Sequence, residues 1–81
     1  MQIDQIRDIV VRHARLSAAA GELAPTTDLY GAGLSSLTTV HLMLALEDAF
    51  DVEFPDRMLS RKTFESLQSI AEAIQELKAA A

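Results

Sequence analysis

Gly33-Leu34-Ser35-Ser36-Leu37-Thr38-Thr39-Val40-His41-Leu42-Met43-Leu44-Ala45-Leu46-Glu47-Asp48-Ala49-Phe50 is the stretch that decides the fold. A glycine-bearing loop meets two serines, and a strongly apolar segment of helical periodicity follows. Serine is a good N-cap because its side-chain oxygen accepts from a free N–H of the first turn. Ser35 is therefore expected to cap a helix running from about Ser36 to Asp51. At about 100° per residue, Leu42, Met43, Leu46 and Phe50 fall on one side of that helix, as a core face should. Leu37, Val40 and Leu44 fall on a second face, well round from the first. Two arrangements produce such a pattern. Either the helix is packed on both sides by its neighbours, or it carries an exposed stripe beside the serines, flanked by Glu47 and Asp48, that partner proteins grip.

Outward from this helix the chain reads as all-α, with no segment that reads well as a strand. Ile3, Ile6, Ile9, Val10 and Leu16 recur at helical spacing, with Arg7, Arg12 and Arg15 mostly off that stripe. This first helix is expected to end near Ala18–Ala20, with Gly21 as its stop signal. Residues 21–35 form a long connection containing Pro25, Asp28, Gly31 and Gly33, and loops of that length in compact domains usually serve something. Leu23, Leu29, Tyr30 and Leu34 are spaced to pin it onto the core. Pro55 marks a break, and residues 56–61 read as a short helical turn. A last helix is expected from Thr63 or Phe64, capped by Thr63, with Phe64, Leu67, Ile70, Ala71, Ile74 and Leu77 as its buried stripe. The Ala79–Ala81 tail is expected to fray.

The 81 residues suffice for a single domain, 1–81, and a 49% hydrophobic content supplies one modest core. Cysteine is absent, so neither disulfides nor thiolate metal sites contribute. No apolar run approaches membrane-spanning length, and Met1-Gln2-Ile3-Asp4 lacks the layout of a signal peptide, which points to a cytoplasmic protein away from membranes. The net charge of −5 is unevenly spread. Asp28, Glu47, Asp48, Asp51, Glu53 and Asp56 lie in a stretch without Lys or Arg, while Arg7, Arg12, Arg15, Arg57, Arg61, Lys62 and Lys78 flank it. Such an acidic middle repels nucleic acid and favours basic protein surfaces, or simply solvates one face.

Catalytic constellations are missing. His13 falls within the apolar stripe of the first helix, where a packed or half-buried structural role is expected. His41 follows Ser36 by five residues, which places the two side chains roughly 140° apart around a helix and makes a poor base–nucleophile pair. Asp48, Asp51, Glu53 and Asp56 lack the spacing and central glycine of a calcium loop. There is no P-loop-type glycine loop. By contrast, a serine in the first helical turn faces the positive end of the helix dipole, and a phosphate attached there would sit beside unsatisfied N–H groups. With a phosphate-linked arm on one serine, the chain would be a carrier and not a catalyst.

The run Asp28-Leu29-Tyr30-Gly31-Ala32-Gly33-Leu34-Ser35-Ser36-Leu37, with Val40, Leu42, Leu46, Glu47, Phe50 and Asp51 beyond it, resembles the acyl carrier protein superfamily over almost the whole chain. Pro55 after an acidic helix end, a short third helix and a Thr63-led fourth helix fit the same pattern. The resemblance implies a four-helix bundle with a long loop between helices one and two. Its serine at the start of helix two receives 4′-phosphopantetheine from coenzyme A through a phosphopantetheinyl transferase. Matching the family's Asp-Ser-Leu motif puts that serine at Ser36. Ser35 then serves as cap, and Leu37, Val40, His41, Leu44, Glu47 and Asp48 form the docking face, framed by Leu29, Tyr30 and Arg57 to Leu59.

The departures from the pattern bear on the partner. Ser35 replaces the family's usual Asp, and Thr38 and His41 stand where fatty-acid carriers usually show acidic residues. The Asp-Leu-Tyr and Gly-Leu-Ser-Ser-Leu runs, with Phe54-Pro55-Asp56 through Arg61-Lys62-Thr63-Phe64, resemble small aminoacyl carrier proteins served by seryl-tRNA-synthetase-like amino acid:carrier protein ligases. That resemblance implies an aminoacyl thioester as cargo, an adenylating ligase to load it, a downstream acyl or aminoacyl transferase, and a monomeric carrier. A fatty-acid or polyketide-type carrier is the alternative cargo reading. A helical interaction module without a prosthetic group is the alternative of another class.

Overall fold

The computed structural model describes residues 2–14 and 23–80. Three α-helices and one 3-10 turn make up its regular structure: α1 (Gln2–His13), α2 (Ser36–Phe50), the turn Asp56–Met58, and α3 (Leu67–Ala80). The described residues are all-α. The expected short third helix is a single 3-10 turn of three residues, stopped when Leu59 N–H bonds back to the Asp56 carbonyl. The expected end of the first helix near Ala18–Ala20, the Gly21 stop, and Arg15 and Leu16 lie outside the described residues.

One core holds the elements together. Ile6, Val10 and Ala14 of the first segment meet Leu42, Leu46 and Phe50 of α2 and Leu67, Ile70 and Ile74 of α3 in a single buried cluster. Full burial of each large aliphatic side chain contributes roughly 1.5–3 kcal/mol relative to exposure. His13 is exposed, contrary to the packed role expected of it. A line of residues four apart drifts about 40° per step around a helix. The buried line Ile6–Val10 is thus carried onto Ala14, leaving His13 at its edge, in solvent.

The chain before α2 is strapped down at several points. Leu23, Leu29 and Leu34 are buried. Arg7 Nε donates to the Leu23 carbonyl at 2.9 Å, Leu29 N–H to the Glu65 carbonyl at 2.7 Å, and Gln68 N–H to the Pro25 carbonyl at 3.0 Å. This loop therefore bridges α1 and the start of α3. Gly33 has φ 116°, a conformation L side chains rarely adopt, and it turns the chain into the Ser35 cap.

Two boundaries differ from expectation. Asp51 takes a left-handed conformation (φ 54°, ψ 52°) as C-cap, so α2 ends at Phe50. The last helix begins at Leu67 rather than Thr63 or Phe64. Ser66 holds its first turn, its Oγ accepting from Ser69 N–H at 3.1 Å. Residues 60–64 instead form successive turns, with Thr63 N–H bonded to the Ser60 carbonyl and Phe64 N–H to the Arg61 carbonyl, both at 3.2 Å. Phe64 drops from these turns into the core, with its ring centroid 5.3 Å from that of Phe54.

Candidate functional site

The first turn of α2 divides labour between two adjacent hydroxyls. Ser35, extended at φ −99° and ψ 166°, is the N-cap. Its Oγ accepts from Thr38 N–H at 3.2 Å and lies 2.7 Å from Thr38 Oγ1. Its carbonyl accepts from both Thr39 N–H at 2.8 Å and Thr39 Oγ1 at 2.7 Å. Ser35 is thus bound into the helix start through both its polar groups. Ser36, the first residue of α2, is exposed and makes no side-chain hydrogen bond among the described residues. No acidic side chain occupies the first turn, so the positive end of the helix dipole has no local carboxylate to neutralise it.

A cavity of about 490 Å³ opens beside these serines, between α2 and the segment leading to α3. Leu34, Val40, Met43, Leu59 and Phe64 supply its apolar surface, while Ser35, Ser36, Thr39 and Ser60 supply hydroxyls. Tyr30 and Arg61 complete the lining, with the Arg61 guanidinium carbon 4.4 Å from the Tyr30 ring centroid. Cation and ring face therefore form one rim element from two distant parts of the chain. These residues fit a phosphate-linked arm on Ser36: an exposed hydroxyl, free helix N–H groups, and an adjoining groove with polar and apolar walls.

The outer face of α2 is apolar and open. Leu37 is 72% exposed, Val40 50% and Leu44 54%, whereas Leu42 and Leu46 are fully buried. Of the two arrangements the sequence allowed, neighbours packed on both sides is therefore excluded. His41 and Asp48 are exposed on the same helix. Glu47 differs, because its Oε2 accepts from Phe54 N–H at 2.8 Å and so ties down the chain after α2. Leu59 is 48% exposed, but Leu29 and Met58, expected to frame this face, are core residues. Arg57 is held toward α3 by an ion pair with Glu76 at 3.2 Å.

Sequence reasoning missed the Arg61–Tyr30 pair, the Glu47 clamp and the groove. The first two link residues whose nearness depends on the path of loops. Thr39 was within reach, since a threonine four residues after a carbonyl at a helix start commonly bonds back to it.

Comparisons with known proteins agree with this geometry. Residues 4–74 match the phosphopantetheine attachment site family. The chain is 44% identical over 70 residues to the aminoacyl carrier protein of Agrobacterium fabrum strain C58, covering 86% of this chain and 84% of that protein. Its fold superposes with a TM-score of 0.89 and 41% identity on a chain in the crystal structure of an engineered Bradyrhizobium japonicum glycine:[carrier protein] ligase complexed with carrier protein from Agrobacterium tumefaciens and ATP. That match covers 94% of this chain and 99% of the other. A solution structure of a holo acyl carrier protein from Nitrosomonas europaea matches with a TM-score of 0.84 and 28% identity, over 100% of this chain and 99% of that one. Because the family match runs from α1 into α3 across the exposed serine, the chain belongs to the phosphopantetheine attachment site family and is a carrier protein, not an enzyme.

Proposed function

We propose that Ser36 is the attachment point of 4′-phosphopantetheine and that the protein carries an aminoacyl group. The carrying observation is the asymmetry of the two serines: Ser35 is engaged as cap on Thr38 N–H, whereas the Ser36 hydroxyl is exposed and unengaged at the first position of α2. The attached group supplies a terminal thiol that holds the cargo as a thioester. The chain's own residues do the rest. Ser35 and Thr39 fix the helix start, the free N–H groups and helix dipole favour an anionic phosphodiester at Ser36, and α2 presents a rigid face to partners.

The aminoacyl cargo is supported by the relative of that name and by the ligase found with a similar carrier. An amino acid:carrier protein ligase would load the cargo, after a phosphopantetheinyl transferase has modified Ser36, and a downstream acyl or aminoacyl transferase would unload it. Leu37, Val40, His41, Leu44 and Asp48 form the docking face, and Glu47 contributes by holding the adjacent chain in place. The chain works as one domain over 1–81, as a monomer in the cytoplasm, with the 3-10 turn Asp56–Met58 standing in for the third helix of a four-helix bundle.

Intact-mass measurement after incubation with coenzyme A and a phosphopantetheinyl transferase tests this. A gain of one phosphopantetheine in the wild type, absent in Ser36→Ala and retained in Ser35→Ala, is expected. The reverse pattern would move the site to Ser35, and no gain in the wild type would remove the carrier reading.

A further inference from the structure

The groove beside Ser36 is walled by apolar side chains and hydroxyls, and it carries a single charge. Leu34, Val40, Met43, Leu59 and Phe64 would accommodate a small hydrocarbon chain. Arg61 is the one charged residue among those lining it. No carboxylate among the described residues forms an ion pair with Arg61; its guanidinium is held instead over the Tyr30 ring at 4.4 Å. An aromatic face orients a cation without cancelling its charge. The groove therefore offers apolar contact to a chain arriving from Ser36 but meets any second cation with repulsion.

An aminoacyl unit is such a cation at neutral pH, because its α-amino group is ordinarily protonated there. A simple acyl unit of the same shape is not. Building on the assignment of the arm to Ser36, we infer that Arg61, oriented by Tyr30, is a specificity-determining residue that excludes aminoacyl cargo from the groove. An uncharged acyl group enters and packs on Met43 and Phe64. An aminoacyl group stays outside, where its thioester carbonyl and amine are open to partner enzymes. The scaffold thus keeps a groove able to shelter hydrocarbon and uses one cation at its rim to leave amino acids unsheltered. A screened like-charge contact of this kind lowers occupancy about tenfold.

Leucyl and 4-methylpentanoyl groups make the matched pair, since they differ only in the α-amino group. Each is attached to the carrier through a hydrolysis-resistant amide analogue of the arm, loaded by a phosphopantetheinyl transferase and verified by intact mass. The methyl resonance of Met43 is then compared with that of the carrier bearing the unloaded arm. The 4-methylpentanoyl form is expected to move the Met43 signal, and the leucyl form to leave it near its unloaded position. Arg61→Gln should allow the leucyl form to move it, and Arg61→Lys should restore exclusion. Equal shifts from both cargoes in the wild type, no shift from either, or a leucyl form still excluded in Arg61→Gln would overturn the inference while leaving the carrier function intact. Failure of any arm to attach would overturn the carrier reading, and the inference with it.

Discussion

Phe54 N–H donates to Glu47 Oε2 at 2.8 Å, so a carboxylate in the last turn of α2 also holds the chain that leaves it. The same turn is closed by Val52 N–H on the Glu47 carbonyl at 3.1 Å. Glu47 thus organises the path from the left-handed cap at Asp51 to Phe54, whose ring packs on Phe64. Replacing Glu47 with Ala leaves the Phe54 N–H to water and frees the segment. Allowing for partial exposure, the expected cost is about 1–2 kcal/mol, read as a lower urea midpoint. Glu47→Gln retains an acceptor oxygen and should recover part of the loss. If Ala and Gln variants both unfold at the wild-type midpoint, the bond contributes nothing to stability.

The residues that the sequence resolved were those whose environment follows from helical periodicity alone. Leu42, Leu46 and Phe50 are buried and Leu37, Val40 and Leu44 exposed, which matches the angular separation of two faces on one helix. The cap at Ser35 is equally local, since it depends only on Thr38 three residues on. Features set by loop paths were not legible. Thr63 and Ser66 are both plausible caps three residues apart, and the choice of Ser66 accompanies the packing of Phe64 and the bond from Leu29 N–H to the Glu65 carbonyl. The Arg61–Tyr30 contact joins residues that no short-range pattern connects. His13 shows the limit of periodicity itself, because a stripe that is correct at Ile6 and Val10 drifts to Ala14 by the end of the helix.

The cap and the attachment role should separate cleanly by mutation. Ser35→Ala removes the acceptor of Thr38 N–H and is expected to cost about 1 kcal/mol in stability. Ser36→Ala touches no side-chain bond and should alter stability by no more than about 0.5 kcal/mol. Thermal unfolding of the two unmodified variants beside the wild type measures this. A Ser36→Ala variant as damaged as Ser35→Ala would mean that Ser36 also supports the helix start.

Two leucines on one helix provide a sharper contrast. Leu42 is fully buried and Leu44 is 54% exposed. Leu42→Ala opens a cavity in the buried core and should cost about 2–5 kcal/mol. Leu44→Ala should change stability by no more than about 0.5 kcal/mol. Denaturant titration of both variants tests the orientation of α2 directly, because a helix rotated by half a turn would reverse the order.

The open face of α2 also predicts how a loading ligase would respond to a change at its centre. Leu37 is 72% exposed, and exposed apolar residues in contiguous patches commonly mark binding surfaces. A charge at its position would have to be desolvated on docking, whereas in the free carrier it remains in water. Leu37→Glu should therefore fold as stably as the wild type and still accept phosphopantetheine at Ser36, while loading more slowly at low carrier concentration. A loss of about 2 kcal/mol in docking corresponds to roughly a thirtyfold rise in KM for the carrier if kcat is unchanged. Steady-state loading with carrier as the varied substrate separates the two constants. An unchanged KM would remove Leu37 from the docking face, and a fall in kcat alone would place its effect after docking.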